Sequence, residues 1–209
     1  LQADCVVLEL EDGVALPSKA IARIQATEAL DKLAGEQLRC FELGLRVNSV
    51  ASGLLGDDVK EVCKAEHLPQ AFMVPKVDSP EDVATIYDVF RSNYTPKRVT
   101  DTNTRLVIWI ESARALLDMP RIVSSTLNLH KNSGFFKLDA VVFGSDDYCA
   151  DIAEKVEWAT ELVHAFSQHQ AEGKGAFQFR GQMIDRPLLL QALNIIQLVE
   201  SVGGVAKEK

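Results

Sequence analysis

Short apolar runs alternate with helical patterns over the first two-thirds of the chain. Asp4 to Leu10 is rich in β-branched residues and ends in Glu-Asp-Gly, which predicts a strand and a turn. Pro17 and Ser18 then open a helix to about Leu33, with Ala22, Ala26, Ala29, Leu30 and Leu33 at helical spacing. Leu43 to Val47 predicts a second strand and Asp57 to Ala65 a second helix. Ala71 to Val74 predicts a third strand. Ser79-Pro80-Glu81 combines an N-cap, a proline at N1 and an acidic first turn, so a helix is expected from Pro80 to about Phe90. Arg105 to Ile110 predicts a fourth strand, with a short helix from Ser112 to Asp118, and Ala140 to Phe143 a fifth strand.

Nearly continuous apolar strands separated by amphipathic helices imply an α/β fold with a parallel sheet. A β/α barrel and a doubly wound sheet both satisfy that pattern. No GxGxxG or GxxxxGK[ST] follows the first strand, which disfavours the nucleotide-binding versions. Beyond Ile152 the alternation stops: a long helix is expected from Ala153 to Gln170 and another from Pro187 to about Val202. The chain thus divides into a β/α portion, 1–152, and a helical C-terminal segment, 153–209. Five β/α units are too few to close an eight-stranded barrel, so the sheet is open or segments are missing at Ile152–Ala153.

Composition narrows the function classes. Hydrophobic residues make up 47% of the 209 and charged residues 25%, the balance of a globular core. The net charge of −8 argues against nucleic acid, which needs clustered Lys and Arg, but admits a small anionic ligand. No apolar run approaches the ~18 residues that cross a bilayer. Cys5, Cys40, Cys63 and Cys149 show no CxxC pairing or metal-ligand spacing and read as reduced thiols in an intracellular compartment. Because the chain opens almost directly on an apolar strand, residues are expected before Leu1, and localisation is not read from this end.

The informative polar residues sit where strands end. The first strand leads to Glu9, Glu11 and Asp12, the second to Arg46 and Asn48, and the third to Lys76. The fourth ends at Glu111 and the fifth at Asp146 and Asp147. In parallel β/α architectures these ends share one face, where ligands bind. A single charge there is usually a solvated loop residue or a helix cap; charges on all five strands point to a shared site. Glu111 and Asp147 are hard oxygen ligands suited to Mg²⁺, and Arg46 offers a fork for a carboxylate or enolate oxygen. The set suits making or breaking a carbon–carbon bond beside a carbonyl. His164 and His169, five apart on a helix, lack a third ligand and read as ordinary side chains. No GxSxG elbow is present, and Phe177 and Phe179 read as packing residues.

Five stretches carry a resemblance: Val6-Val-Leu-Glu-Leu-Glu-Asp-Gly-Val14, Leu45-Arg-Val-Asn-Ser49, Met73-Val-Pro-Lys-Val77, Ile108-Trp-Ile-Glu-Ser-Ala113 and Ala140-Val-Val-Phe-Gly-Ser-Asp-Asp147. In this order they resemble the HpcH/HpaI aldolase and citrate lyase beta-subunit family. The tail, Gly173-Lys-Gly-Ala-Phe177 with Gly181-Gln-Met-Ile-Asp-Arg-Pro187, is similar to the animal mitochondrial members of that family. The resemblance implies a TIM (β/α)8 barrel, Mg²⁺, a homotrimer and a mitochondrial location. It implies cleavage of citramalyl-CoA to acetyl-CoA and pyruvate, with malate or β-methylmalate synthase and malyl-CoA thioesterase side activities. Acyl-CoA thioesters and short keto acids would be the substrates. Glu111 and Asp147 would hold the metal, Arg46 would contact the acid or its enolate, and Glu111 also lies against the substrate. Asp185 would be the catalytic carboxylate, reaching a neighbouring subunit's site from the C-terminal segment; from the residues alone it reads as an N-cap before Pro187. The family also has a strand before Leu1 whose following residues help bind the CoA phosphates. The alternatives are a Mg²⁺-dependent aldolase on free hydroxy-keto acids and a non-catalytic remnant.

Overall fold

The computed structural model describes residues 3–34, 42–95, 97–99, 103–171 and 177–207; Cys40 and the Gly173–Ala176 part of the tail motif lie outside them. The chain divides into two compact units, Leu1–Tyr148 and Cys149–Lys209.

In the first unit β1 (Cys5–Glu9), β2 (Glu42–Arg46), β3 (Ala71–Val74), β4 (Arg105–Ile110) and β5 (Lys137–Phe143) form one sheet in sequential order. Every neighbouring pair is parallel. That order, without the reversal that makes a doubly wound sheet, is the order of a β/α barrel. Among the described residues the sheet is open, with β1 and β5 at its edges.

Between the strands run α1 (Lys19–Ala34), α2 (Leu55–Val62), α3 (Pro80–Asn93) and α4 (Ala113–Ser133), each packed on the next. They cover one sheet face. Leu45, Phe72, Val74, Leu106, Ile108 and Ile110 point into that layer, with exposures of 1% or less. Its centre is aromatic. Phe72 lies edge-on to Phe90 and Phe136 at centroid separations of 4.8 and 5.6 Å, a favoured arrangement for rings. Alternation puts Ala71, Met73, Val107, Trp109 and Val142 on the opposite face. Gly44 belongs there too: an added Cβ would come within 2.7 Å of Met73 Cε.

Helix ends follow the caps read from sequence. Ser79 Oγ accepts from Asp82 N at 3.2 Å, and Ser112 Oγ from Ala115 N at 3.0 Å. Two helices differ from expectation. The helix after Ser112 does not stop near Asp118 but runs to Ser133 through Pro120, ending at Gly134 with φ +69°. Its buried stripe of Ala115, Ile122 and Thr126 outweighs the one backbone donor that Pro120 lacks. The helix expected from Ala153, α5 (Ser145–Ala171), begins at Ser145 instead. It passes through Ile152 and Ala153 without a break.

The second unit holds most of α5, a hairpin of β6 (Gln178–Phe179) and β7 (Gln182–Met183), and α6 (Arg186–Lys207). Phe177 is buried there with Ala159, Leu162 and Ala192. His169 lies 5.2 Å from the Phe177 ring, in keeping with a packing role. Cys5, Cys63 and Cys149 form no disulfide among the described residues. Among the described residues no helix is long and apolar enough to cross a membrane.

Because Phe72 anchors the ring cluster, Phe72→Ala should cost about 3–5 kcal/mol and lower the urea midpoint of the first unit. A midpoint within experimental error of the parent would show that the cluster is not the centre of this core.

Candidate active site

The parallel register gathers the strand ends on one rim. Glu9 pairs with Arg46 across β1 and β2, and Ile110 with Phe143 across β4 and β5. Arg46 Nε and Nη2 both reach Glu9 Oε2, at 2.7 and 2.6 Å, while Nη1 lies 3.5 Å from Glu11 Oε2. Glu9 also accepts from the backbone N–H of Glu11.

Beyond β3 the chain turns at Lys76, whose φ of +54° is the left-handed region that side chains seldom adopt. From this turn the Lys76 N–H donates to Glu111 Oε2 at 2.9 Å. The Lys76 ammonium lies 2.8 Å from Glu11 Oε1, 2.9 Å from Asp12 Oδ2 and 3.3 Å from Asp147 Oδ2. One residue therefore touches four of the rim's carboxylates.

A buried polar layer supports these loops. Lys19 Nζ donates to the carbonyls of Leu10 and Glu11 and to Asn48 Oδ1, at 2.6 to 2.7 Å. Asp58, fully buried on α2, accepts from the Asn48 backbone and side chain and from Arg23 Nε, each at 2.7 Å. The loops after β1 and β2 are thus tied to each other and to two helices.

The electrostatics follow from the crowding. Burial pushes the Glu111 carboxyl above the usual carboxylate range; the Lys76 N–H opposes this, and the nearby Asp147 and Glu11 add to it. The hydrogen bond from Lys76 holds Asp12 below its ordinary value against a smaller effect of burial. Burial would lower Lys76, but its bonds to Glu11 and Asp12 outweigh that and raise it. Arg46 is likewise raised by Glu9, against burial.

A pocket of about 330 Å³ opens on the rim, lined by Asp12, Arg46, Glu111 and the segment Phe143–Asp147. An added Cβ on Gly144 would collide with the Glu111 carboxylate, so only glycine leaves Glu111 its place beside the start of α5. Among the described residues no three His, Cys, Asp or Glu side chains are grouped as a metal cage. Glu111 and Asp147, which both line the pocket, are carboxylates there that could serve Mg²⁺, an ion that takes one or two carboxylates and completes its shell with substrate and water. The ammonium of Lys76 already stands against Asp147 as a cation.

Of the residues expected from sequence, Arg46, Glu111 and Asp147 line this pocket together, with Asp146 beside them. Glu9, Glu11, Asp12 and Lys76 form the rim's ion pairs, and Asn48 belongs to the layer beneath. Asp185 lies in the second unit, where its Oδ1 accepts from Leu188 N at 3.0 Å and caps α6. Lys19, Arg23 and Asp58 were not legible as site residues. The available signal was Asp58 itself, an acid on the apolar stripe of Leu55, Val59 and Val62.

The chain belongs to the HpcH/HpaI aldolase/citrate lyase family, a family of carbon–carbon lyases, which it matches over residues 1–185. It is 31% identical over 278 aligned positions to the mitochondrial citramalyl-CoA lyase of Homo sapiens, covering 97% of this chain and 80% of that one. The Rattus norvegicus citramalyl-CoA lyase is also 31% identical, with 97% and 81% covered. An alignment of 278 positions against 209 residues leaves at least 69 positions of the relatives without a counterpart here. Among solved structures, RipC from Yersinia pestis is 24% identical with a TM-score of 0.52, covering 72% of this chain and 56% of that one, and shows the shared fold.

The raised Glu111 carboxyl holds its proton to higher pH in the folded chain than in the unfolded one. Ionised Glu111 therefore costs stability, and the cost grows as pH rises through the folded value. Glu111→Gln should raise the Tm of the metal-free protein, more at neutral pH than in mild acid. A Tm that is lower, or equally shifted at both, would contradict this electrostatic account.

Proposed function

We propose that the protein is a Mg²⁺-dependent lyase that cleaves citramalyl-CoA to acetyl-CoA and pyruvate. The observation that carries the reading is the convergence of Glu111, Asp147 and Arg46 on one pocket, in a chain 31% identical to citramalyl-CoA lyases. Cleavage breaks the bond between the carbinol carbon and the carbon α to the thioester. The hydroxyl must lose a proton, and the α carbon must gain one.

Glu111 and Asp147 would hold Mg²⁺, which when bound supplies positive charge for oxygens that become negative. Arg46, held by Glu9 through Nε and Nη2, would turn its more loosely engaged Nη1 to the carboxylate that leaves with pyruvate. Lys19, Asn48 and Asp58 keep the loops that carry Glu11 and Asp12 in place. Asp185 is the carboxylate assigned to proton transfer, serving the pocket of a neighbouring subunit in a homotrimer. Its position as the cap of α6 fixes its backbone without consuming both carboxylate oxygens. Adding acetyl-CoA to a two-carbon oxo acid in the reverse direction and then letting water take the thioester, with CoA leaving, would give the malate synthase side activity, and that hydrolysis alone the malyl-CoA thioesterase one. The relatives' names place them in mitochondria, and the same location is inferred here.

A second reading has its own observation. The 69 or more absent positions and the open sheet favour a non-catalytic subunit that keeps the rim but has lost the rest of the barrel. Citramalyl-CoA cleavage, followed with and without Mg²⁺ in the parent and in Asp185→Ala, separates the two. Mg²⁺-dependent release of acetyl-CoA, reduced at least about a hundredfold in the variant, is the expected result. Turnover of free hydroxy-keto acids without CoA would identify an aldolase instead. No turnover by a chain of 23.0 kDa would identify the non-catalytic subunit.

A further inference from the structure

The rim's acids outnumber its cations, and Lys76 is the side chain that mediates between them. Among the described residues Glu9, Glu11, Asp12 and Asp147 pair with Arg46 and Lys76, and Arg46 is engaged by Glu9 and Glu11. The contacts of Lys76 are graded. Its ammonium is closest to Glu11 and Asp12, at 2.8 and 2.9 Å, and looser on Asp147, at 3.3 Å. Glu111 is held differently, by the Lys76 backbone N–H, so its position does not depend on where the ammonium goes. The left-handed φ of +54° at Lys76 is what lets amide and ammonium serve carboxylates on three different strands' loops.

We propose that Lys76 is a positioning residue that occupies the cation's place on Asp147 in the metal-free protein and releases that carboxylate when a divalent cation binds. Glu11 and Asp12 keep the ammonium from leaving the rim when Asp147 is given up. The inference rests on the reading that Glu111 and Asp147 hold a divalent cation. A singly charged ammonium beside a dication is a repulsive neighbour at a few ångströms, so Lys76 lowers the affinity of the metal it prepares the site for. It keeps the crowded acids together until that metal arrives.

Titration calorimetry with Mn²⁺ as the probe, on the full chain without substrate, tests this. Lys76→Met should bind Mn²⁺ at least about tenfold more tightly than the parent, because the competing cation is gone. Lys76→Gln, which can still donate to Glu11 and Asp12, should also bind more tightly and serves where Lys76→Met fails to fold. Lys76→Arg, keeping the charge, should stay within about threefold of the parent. The Tm of metal-free Lys76→Met should fall, and saturating Mn²⁺ should close the gap. A purely structural lysine would lower Tm without tightening Mn²⁺. Unchanged or weaker Mn²⁺ binding in both uncharged variants, with Glu111→Gln still abolishing binding, overturns the role of Lys76 alone. A parent that binds no Mn²⁺, or binds it equally well in Glu111→Gln, overturns the metal reading and this inference together.

Discussion

Crowded negative charge is the constraint that the rest of the site answers to. Two unit charges about 4 Å apart interact by roughly 4 kcal/mol at the effective dielectric of a partly buried pocket, and several carboxylates share this rim. The protein offsets the repulsion with two cations rather than by spreading the acids out. Arg46 and Lys76 each bridge more than one carboxylate. Such bridging works only if the loops cannot drift. That explains why the layer under the rim is polar, buried and fully paired at Asp58 and Asn48. It also explains a left-handed backbone at a lysine, which trades local strain for a hydrogen bond to Glu111.

The fold was legible to the extent that burial is periodic. Strands such as Ala71–Val74 and Arg105–Ile110 are nearly continuous apolar runs, and their limits coincide with the runs. Helix α4 was read short because Pro120 is a local breaker, whereas its length is decided by a stripe of contacts spread over 21 residues. The start of α5 was missed for the opposite reason. Asp146 and Asp147 stand out in the sequence as strand-end acids, yet acids are also favourable in a helix's first turn. The strand-end rule gathered Arg46, Glu111 and Asp147 on one face because it depends on topology alone, and the three do line one pocket. The pairings among rim residues were not legible. They depend on a positive φ at Lys76 and on the space left by Gly144, features set by tertiary packing rather than by the residues' own preferences.

The rim draws all its charged groups from the first five strands, so the positions missing relative to the curated relatives do not remove them. What the shortened sheet lacks is enclosure. Val7 on β1 and Val141 and Phe143 on β5 are 41%, 38% and 52% exposed, and β1 and β5 are the sheet's edge strands among the described residues. At the pocket itself the side chains of Asp12 and Asp147 are 60% and 43% exposed. An enolate-forming reaction draws its advantage from fixed charges in a site from which water is largely excluded. The five-strand unit supplies the fixed charges and leaves the water in place. On the lyase reading proposed above, a cover from outside this unit would complete the site, and Asp185 acting in a neighbouring subunit's pocket would supply a cover and a proton carrier together.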